Sequence, residues 1–233
     1  EEAGAITIGG SVTVTQLLES PVMKMHFPEF ATHMKLVSST PIRNMATLAG
    51  NLVNASPIGD LTAFFLALNA TLTLKKDRAL RQLPLRNFYR SYKQTDRADG
   101  ELVQSLSFPV PPSGSVFSFE KVSKRTNLDI ASVNSACQAL VGQDNSIQWI
   151  HLSAGGVAPT PKYLGETTIY LTGRQLSEDV LEQALATADR EIAPISDARG
   201  TTAYKRLLLR QLLLAHFLKL AGPTEPVVKL LLP

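Results

Sequence analysis

Apolar and polar positions alternate from the start of the chain, where Ala5-Ile6-Thr7-Ile8 reads as a strand that breaks on Gly9-Gly10. Thr15 stands where it could cap a short helix at residues 16–19. Phe30, Met34 and Val37 recur at steps of four and three, which predicts a helix over 28–37. Residues 61–68 are almost wholly apolar, so a helix there should be buried on all sides. Alternation returns at 70–74 and is turned by Lys75-Lys76-Asp77, and Asp99-Gly100 precedes a further strand at 101–108. Val110-Pro111-Pro112-Ser113-Gly114-Ser115 stops that strand, because proline cannot donate to a sheet ladder. This is the sharpest boundary in the chain. After it come a strand at 116–121 and a hairpin of strands at 132–141 and 146–152 around Gly142-Gln143-Asp144-Asn145. Ser177 is placed to cap a helix over 177–192, with Glu178 and Asp179 at the positive end of its dipole. A strongly apolar helix over 201–220 follows, then a tail whose 227–232 end is apolar enough to need a partner surface.

Composition narrows the function classes. The chain has 233 residues, 44% hydrophobic and 18% charged, which fits a folded protein with a sizeable core. No apolar run is long enough to span a bilayer, and no basic-then-apolar leader stands at Glu1-Glu2, so a cytoplasmic location is expected. A lone Cys137 excludes a disulfide framework and a four-cysteine iron–sulfur site within the chain. The net charge of +3 is scattered without an aromatic–basic stripe, which argues against nucleic-acid binding. His26 and His33 stand seven positions apart with no evident third ligand, so they read as surface or core histidines and no metal is assigned.

The stretch 41–68, PIRNMATLAGNLVNASPIGDLTAFFLAL, holds the candidate chemistry. A turn at Leu48-Ala49-Gly50-Asn51 could present backbone N–H groups to a phosphate. Thr47, Asn51, Asn54, Ser56 and Asp60 add hydroxyl, amide and carboxylate groups suited to a sugar or diphosphate. The pattern is neither a Walker loop nor a GxGxxG fingerprint. Asp60 stands where a helix N-cap would be, and a cap and a ligand role are both open to it.

The same stretch resembles the second flavin-binding segment of the FAD subunits of molybdenum hydroxylases, the family of xanthine and carbon monoxide dehydrogenases. The match to I-R-N-x-A-T-x-G-G-N-x-x-x-A-S-P-x-S-D runs through Ile42, Arg43, Asn44, Ala46, Thr47, Gly50, Asn51, Ala55, Ser56, Pro57 and Asp60. It departs at Ala49 and Gly59. A second motif, F-x-K-x-x-x-R-x-x-x-D-I-A, is matched by Phe119, Lys121, Arg125, Asp129, Ile130 and Ala131. Gly155-Gly156-Val157-Ala158-Pro159 and the Asp197, Arg199, Tyr204 pattern continue the resemblance, both read as structural, with Asp197 expected to pair with Arg199 or a helix end.

This resemblance implies an α+β chain: a partial FAD-binding domain of the molybdopterin dehydrogenase type at 1–112, a smaller α+β C-terminal domain at 116–222 with an antiparallel sheet and helices, and a tail at 223–233. The family's preceding turn, A-G-G-T-x-L, has no counterpart in the chain, so the first part of the flavin domain is expected to be missing. The implied cofactor is FAD, held by Thr47, Leu48, Ala49, Gly50, Asn51, Asp60, Val103 and Lys121. In the implied roles the turn's backbone holds the diphosphate, Asp60 the ribose, Val103 presses on the ring, and Lys121 is a cation at its electron-rich edge. No residue is given an acid–base role. The implied partners are a molybdopterin-binding large subunit and a 2Fe–2S small subunit, with NAD or another acceptor taking the electrons. A flavin-free scaffold subunit is the rival reading, and a binding module unrelated to redox a third.

Overall fold

The computed structural model describes residue 1 and residues 4–125 and 128–221. The apolar segment at 227–232 lies outside them. Strand β1 (Ala5–Gly9) leads into five short helices, α1 (Val14–Glu19), α2 (Pro21–His26), α3 (Phe30–Lys35), α4 (Thr40–Met45) and α5 (Leu48–Val53). Thr13, not Thr15, caps α1: its hydroxyl accepts from Gln16 N–H while the Gln16 side chain takes Thr13 N–H. Thr15 bonds Asn44 Oδ1 instead. The helix expected over 28–37 is confined to α3, because the chain leaves the helical path at Ser38, which adopts φ 53°. Helix α4 buries none of its residues, so no apolar period announced it.

The next elements are α6 (Asp60–Ala67), β2 (Thr71–Lys76), β3 (Ala79–Pro84), the small pair β4 (Tyr89–Ser91) and β5 (Gln94–Thr95), and β6 (Leu102–Pro109). An antiparallel sheet forms in the order β1-β6-β2-β3. A second antiparallel sheet, β10-β9-β8-β7, is built from β7 (Val116–Val122), β8 (Val133–Val141), β9 (Ile147–Gly155) and β10 (Lys162–Tyr163). The expected hairpin is β8 and β9. Helices α7 (Gly165–Leu171), α8 (Glu178–Glu191) and α9 (Thr202–Ala221) complete the described chain, with Ser177 capping α8 as expected. The fold is α+β.

Helix α6 explains how the two sheets meet. Seven of its eight residues are buried, as an apolar helix without a polar face must be. Phe65 lies 5.8 Å from Phe108 on β6, ring to ring, whereas Phe64 lies 4.3 Å from Phe117 on β7. The helix therefore faces the first sheet with one side and packs across β8 and β9 with another. The opposite face of the second sheet is covered by α9 and α7.

On α9, His216 is fully buried, its Nδ1 2.9 Å from Ser118 Oγ and its Nε2 3.0 Å from Ser135 Oγ. Ser135 Oγ donates to Ser153 O, so it accepts from Nε2–H, and Nδ1 accepts from Ser118. Burial pushes the imidazole pKa down to about 3. The unfolded chain takes up this proton near pH 6.5, and the native state only near pH 3. The stabilisation is complete above pH 6.5 and is lost as pH falls between those values, at up to about 1.4 kcal/mol per pH unit. His216→Gln keeps a donor and an acceptor without a titration. Urea unfolding measured from pH 7 to pH 4 should show a shallower acid slope in that variant.

Candidate functional site

The expected turn at 48–51 is the first turn of α5, with Thr47 as its N-cap. Its amides are already engaged. Leu48 N–H donates to Val12 O and Ala49 N–H to Gly10 O, both at 2.9 Å; Gly50 N–H reaches Thr47 Oγ1 at 3.1 Å and Asn51 N–H reaches Thr47 O at 3.0 Å. Residues 10–12 thus run alongside the turn and take two of its donors, and the cap takes the others. Gly10 permits this approach, since a Cβ there would lie 2.2 Å from Val103 O and 3.2 Å from the Ala49 methyl. Val103 is a core residue of β6, joined to the turn through Gly10. Leu48 is fully buried. Of the turn, Gly50 is exposed, and Thr47 and Asn51 are half-buried. Asn51 Oδ1 is buried with no hydrogen-bond partner among the described residues.

Asp60 is not the cap of α6. Gly59 holds that position, and Asp60 opens the helix with no side-chain cap bond. Its Oδ2 lies 2.7 Å from Lys121 Nζ on β7, and its Oδ1 accepts from Asn134 Nδ2 on β8 at 2.6 Å. Lys121 Nζ also donates to Leu36 O at 2.9 Å. Little solvent reaches the pair: the side chains are 11% and 3% exposed. Burial pushes the Asp60 pKa up, and Lys121 and Asn134 pull it back. The structure thus brings Asp60 and Lys121 into contact, and the turn and Val103 together around Gly10. Asn134 was missed. Its one signal was an amide near the start of a strand that also carries Ser135 and Gln138.

Two openings border this region. One, of about 290 Å³, lies beside Leu36 and Lys121 and is rimmed by Lys124 and Arg125. The other, of about 410 Å³, lies between Ser56-Pro57-Ile58 with Lys93 on one side and Gly156 with Arg199 on the other. At its edge Asp197 pairs with Lys205 at 2.8 Å, closer than the expected Arg199 at 4.0 Å. The two histidines near α3 are engaged elsewhere: His26 meets Glu1 at 3.1 Å, and His33 packs near Phe117 and Phe119.

An α+β chain in which a largely apolar helix joins two antiparallel sheets, with a polar turn on one and a lysine of the other at its end, has the frame of a two-domain flavoprotein. Residues 1–111 match the model of the FAD binding domain in molybdopterin dehydrogenase, and residues 118–220 that of the CO dehydrogenase flavoprotein C-terminal domain. The carbon monoxide dehydrogenase medium chain of Afipia carboxidovorans is 30% identical over 207 residues, 88% of this chain and 70% of that one. The glyceraldehyde dehydrogenase medium chain of Sulfolobus acidocaldarius is 28% identical over 93% of this chain and 76% of its own length. CO dehydrogenase from Oligotropha carboxidovorans superposes with a TM-score of 0.86 at 28% identity, covering 91% of this chain and 74% of that one. The chain belongs to the FAD-binding medium-chain family of molybdenum hydroxylases, oxidoreductase components whose cofactor is FAD. Among the described residues no helix is long and apolar enough to cross a membrane.

Side chains of the turn and of the opening beside Leu36 fit that cofactor. The orphaned Asn51 oxygen beside exposed Gly50 and the Thr47 hydroxyl are polar groups of the kind a dinucleotide takes, and the opening beside Leu36 is rimmed by the cations Lys124 and Arg125. The stability of the Asp60–Lys121 pair is testable without it. Asp60→Leu leaves an uncompensated buried ammonium and should lower unfolding free energy in urea by about 3–5 kcal/mol. Asp60→Leu combined with Lys121→Met should recover most of that loss.

Proposed function

We propose that this chain is the electron-relay subunit of a molybdenum-containing hydroxylase, receiving electrons from 2Fe–2S clusters on a small subunit while a molybdopterin-binding large subunit oxidises substrate. A cytoplasmic setting goes with this reading. The observation that carries it is the order and extent of the two matched domains, which leave only the interdomain link and the tail. The proposed division is 1–112, 116–222 and a tail at 223–233.

FAD, when bound, would supply the redox chemistry, and NAD or another acceptor would take the electrons. The chain's own residues bind and orient. In the proposed site Thr47 and Asn51 donate and accept along the dinucleotide. Leu48 and Ala49 fix the turn from within, and Gly50 keeps its outer face open. Val103 supports the sheet beneath, Asp60 meets the sugar, and Lys121 stands at the ring edge. The 410 Å³ opening suits an anionic acceptor, since Lys93, Arg199 and Lys205 outnumber Asp197 among its charges.

The flavin-free scaffold is supported by one observation: the turn's four amides are taken within the chain. The visible spectrum of the purified complex separates the readings. Flavin absorption bands, present as isolated or after incubation with FAD, are expected. Their absence under both conditions overturns the relay and leaves the scaffold. Asn51→Ala should raise the FAD dissociation constant about three- to tenfold, the worth of one hydrogen bond.

A further inference from the structure

We propose that Asn134 is a positioning residue for the flavin site, acting through Asp60. The inference rests on the placement of Asp60 at the cofactor. Asn134 sits on β8, in the domain that does not carry the polar turn, and is completely buried. Its amide nitrogen donates to Asp60 Oδ1 at 2.6 Å and lies 3.3 Å from Ile58 O. Two points of the segment leading into α6 are therefore held by one side chain from the other sheet.

The surroundings are shaped to keep that amide in one orientation. Its Oδ1 is buried without a hydrogen-bond partner among the described residues, so the side chain is retained for its donor. A flipped amide would turn an oxygen toward the Asp60 carboxylate, and two acceptors would meet. Gly155 lies against the same side chain: a Cβ there would fall 2.3 Å from Asn134 Oδ1 and 3.0 Å from Pro57 O. Gly156 N–H donates to Pro57 O at 2.8 Å. Residues 57–60 are thus clasped by β8 and the end of β9, and the final contact of the clasp is on the carboxylate itself.

The division of labour follows from the carboxylate's two oxygens. Asn134 occupies Oδ1 with a neutral donor, which leaves Oδ2 to Lys121. With one oxygen fixed, the carboxylate plane is fixed, and so is the direction from which Lys121 approaches. Without Asn134 the carboxylate can rotate and draw Lys121 away from Leu36 O. Lys121 is the charged partner of Asp60 here, and it comes from β7, the strand beside Asn134.

The test is a double-mutant cycle on FAD affinity in the assembled complex, deflavinated and retitrated with FAD while flavin fluorescence is read. Thermal midpoints are recorded for each variant to separate folding from binding. Asn134→Ala is expected to raise the FAD dissociation constant about tenfold. In an Asp60→Asn background the same change should alter it less than twofold, because the group through which Asn134 acts has lost its charge. Equal effects in both backgrounds, or no effect in the Asp60 background, overturn the positioning role. If Asp60→Asn alone leaves the dissociation constant unchanged, the placement of Asp60 at the flavin fails first and the positioning role fails with it. Should Asn134→Ala not fold, Asn134→Asp gives a second reading. Its protonated carboxyl can donate to Asp60 as the amide does, whereas its ionised form repels it. FAD affinity in that variant should then fall as pH rises while the wild type stays flat. Parallel profiles overturn the proposal.

Discussion

A carboxylate at the start of one domain's most buried helix is neutralised by an ammonium on the other domain's sheet, and the way the two domains meet at the candidate site turns on that contact. Taking either charge out of water alone costs several kcal/mol. Asp60 and Lys121 offset this by meeting at 2.7 Å, and each has a second partner, Asn134 for the carboxylate and Leu36 O for the ammonium. Three sections of chain, near 36, 60 and 121–134, must therefore arrive at one point. A buried pair of this kind is weak evidence for stability, since an apolar pair of similar volume does as well or better. Its value lies in specifying which surfaces meet.

Apolar packing carries the energy that the ion pair directs. Helix α6 has no polar face to give to water, so it is stable only with protein on every side. The sheets supply that cover from two directions, through Phe108 on one and Phe117 and Phe119 on the other. Their rings belong to one cluster with Phe27 and Phe30, so the boundary between the domains is itself core rather than a wet interface. Sliding one sheet past the other would open cavities around large rings and strand two charges. The geometry of the candidate site is rigid for that reason.

Much of this was legible in the residues. The all-apolar run at 61–68 announced a buried helix, the two short strands around Gly142-Gln143-Asp144-Asn145 a hairpin, and Ser177 the start of α8. The motifs at 42–60 and 119–131 identified the family. What escaped has physical causes. Helix α4 buries nothing and so carries no period. Thr13 outcompeted Thr15 as a cap because Gln16 could complete a capping box with it. Asp60 looked like a cap because local spacing cannot reveal a lysine 61 positions away. Two of the turn's amides looked free for the same reason: the partners of Leu48 and Ala49, Val12 and Gly10, come from a distant part of the chain. Asn134 needed three dimensions outright, since one of two amides on a strand does not say what it meets.

The pairing also changes what Lys121 can do. As a bare cation 4 Å from a full negative charge it would act with about 4 kcal/mol at an effective dielectric of 20. Paired with Asp60, it presents a dipole whose field falls off faster and whose sign depends on which end is nearer. The unpaired positive charge beside the 290 Å³ opening comes instead from Lys124, whose Nζ is anchored to Ala198 O, because Arg125 is itself held near Asp129. Lys124 and Arg125 are exposed, and exposed charges are screened within about 8 Å at physiological ionic strength. Electrostatic influence on a ring in the proposed site would accordingly be short-ranged. It is set by the orientation of one buried carboxylate–ammonium pair, and that orientation is fixed by a neutral amide rather than by any charge.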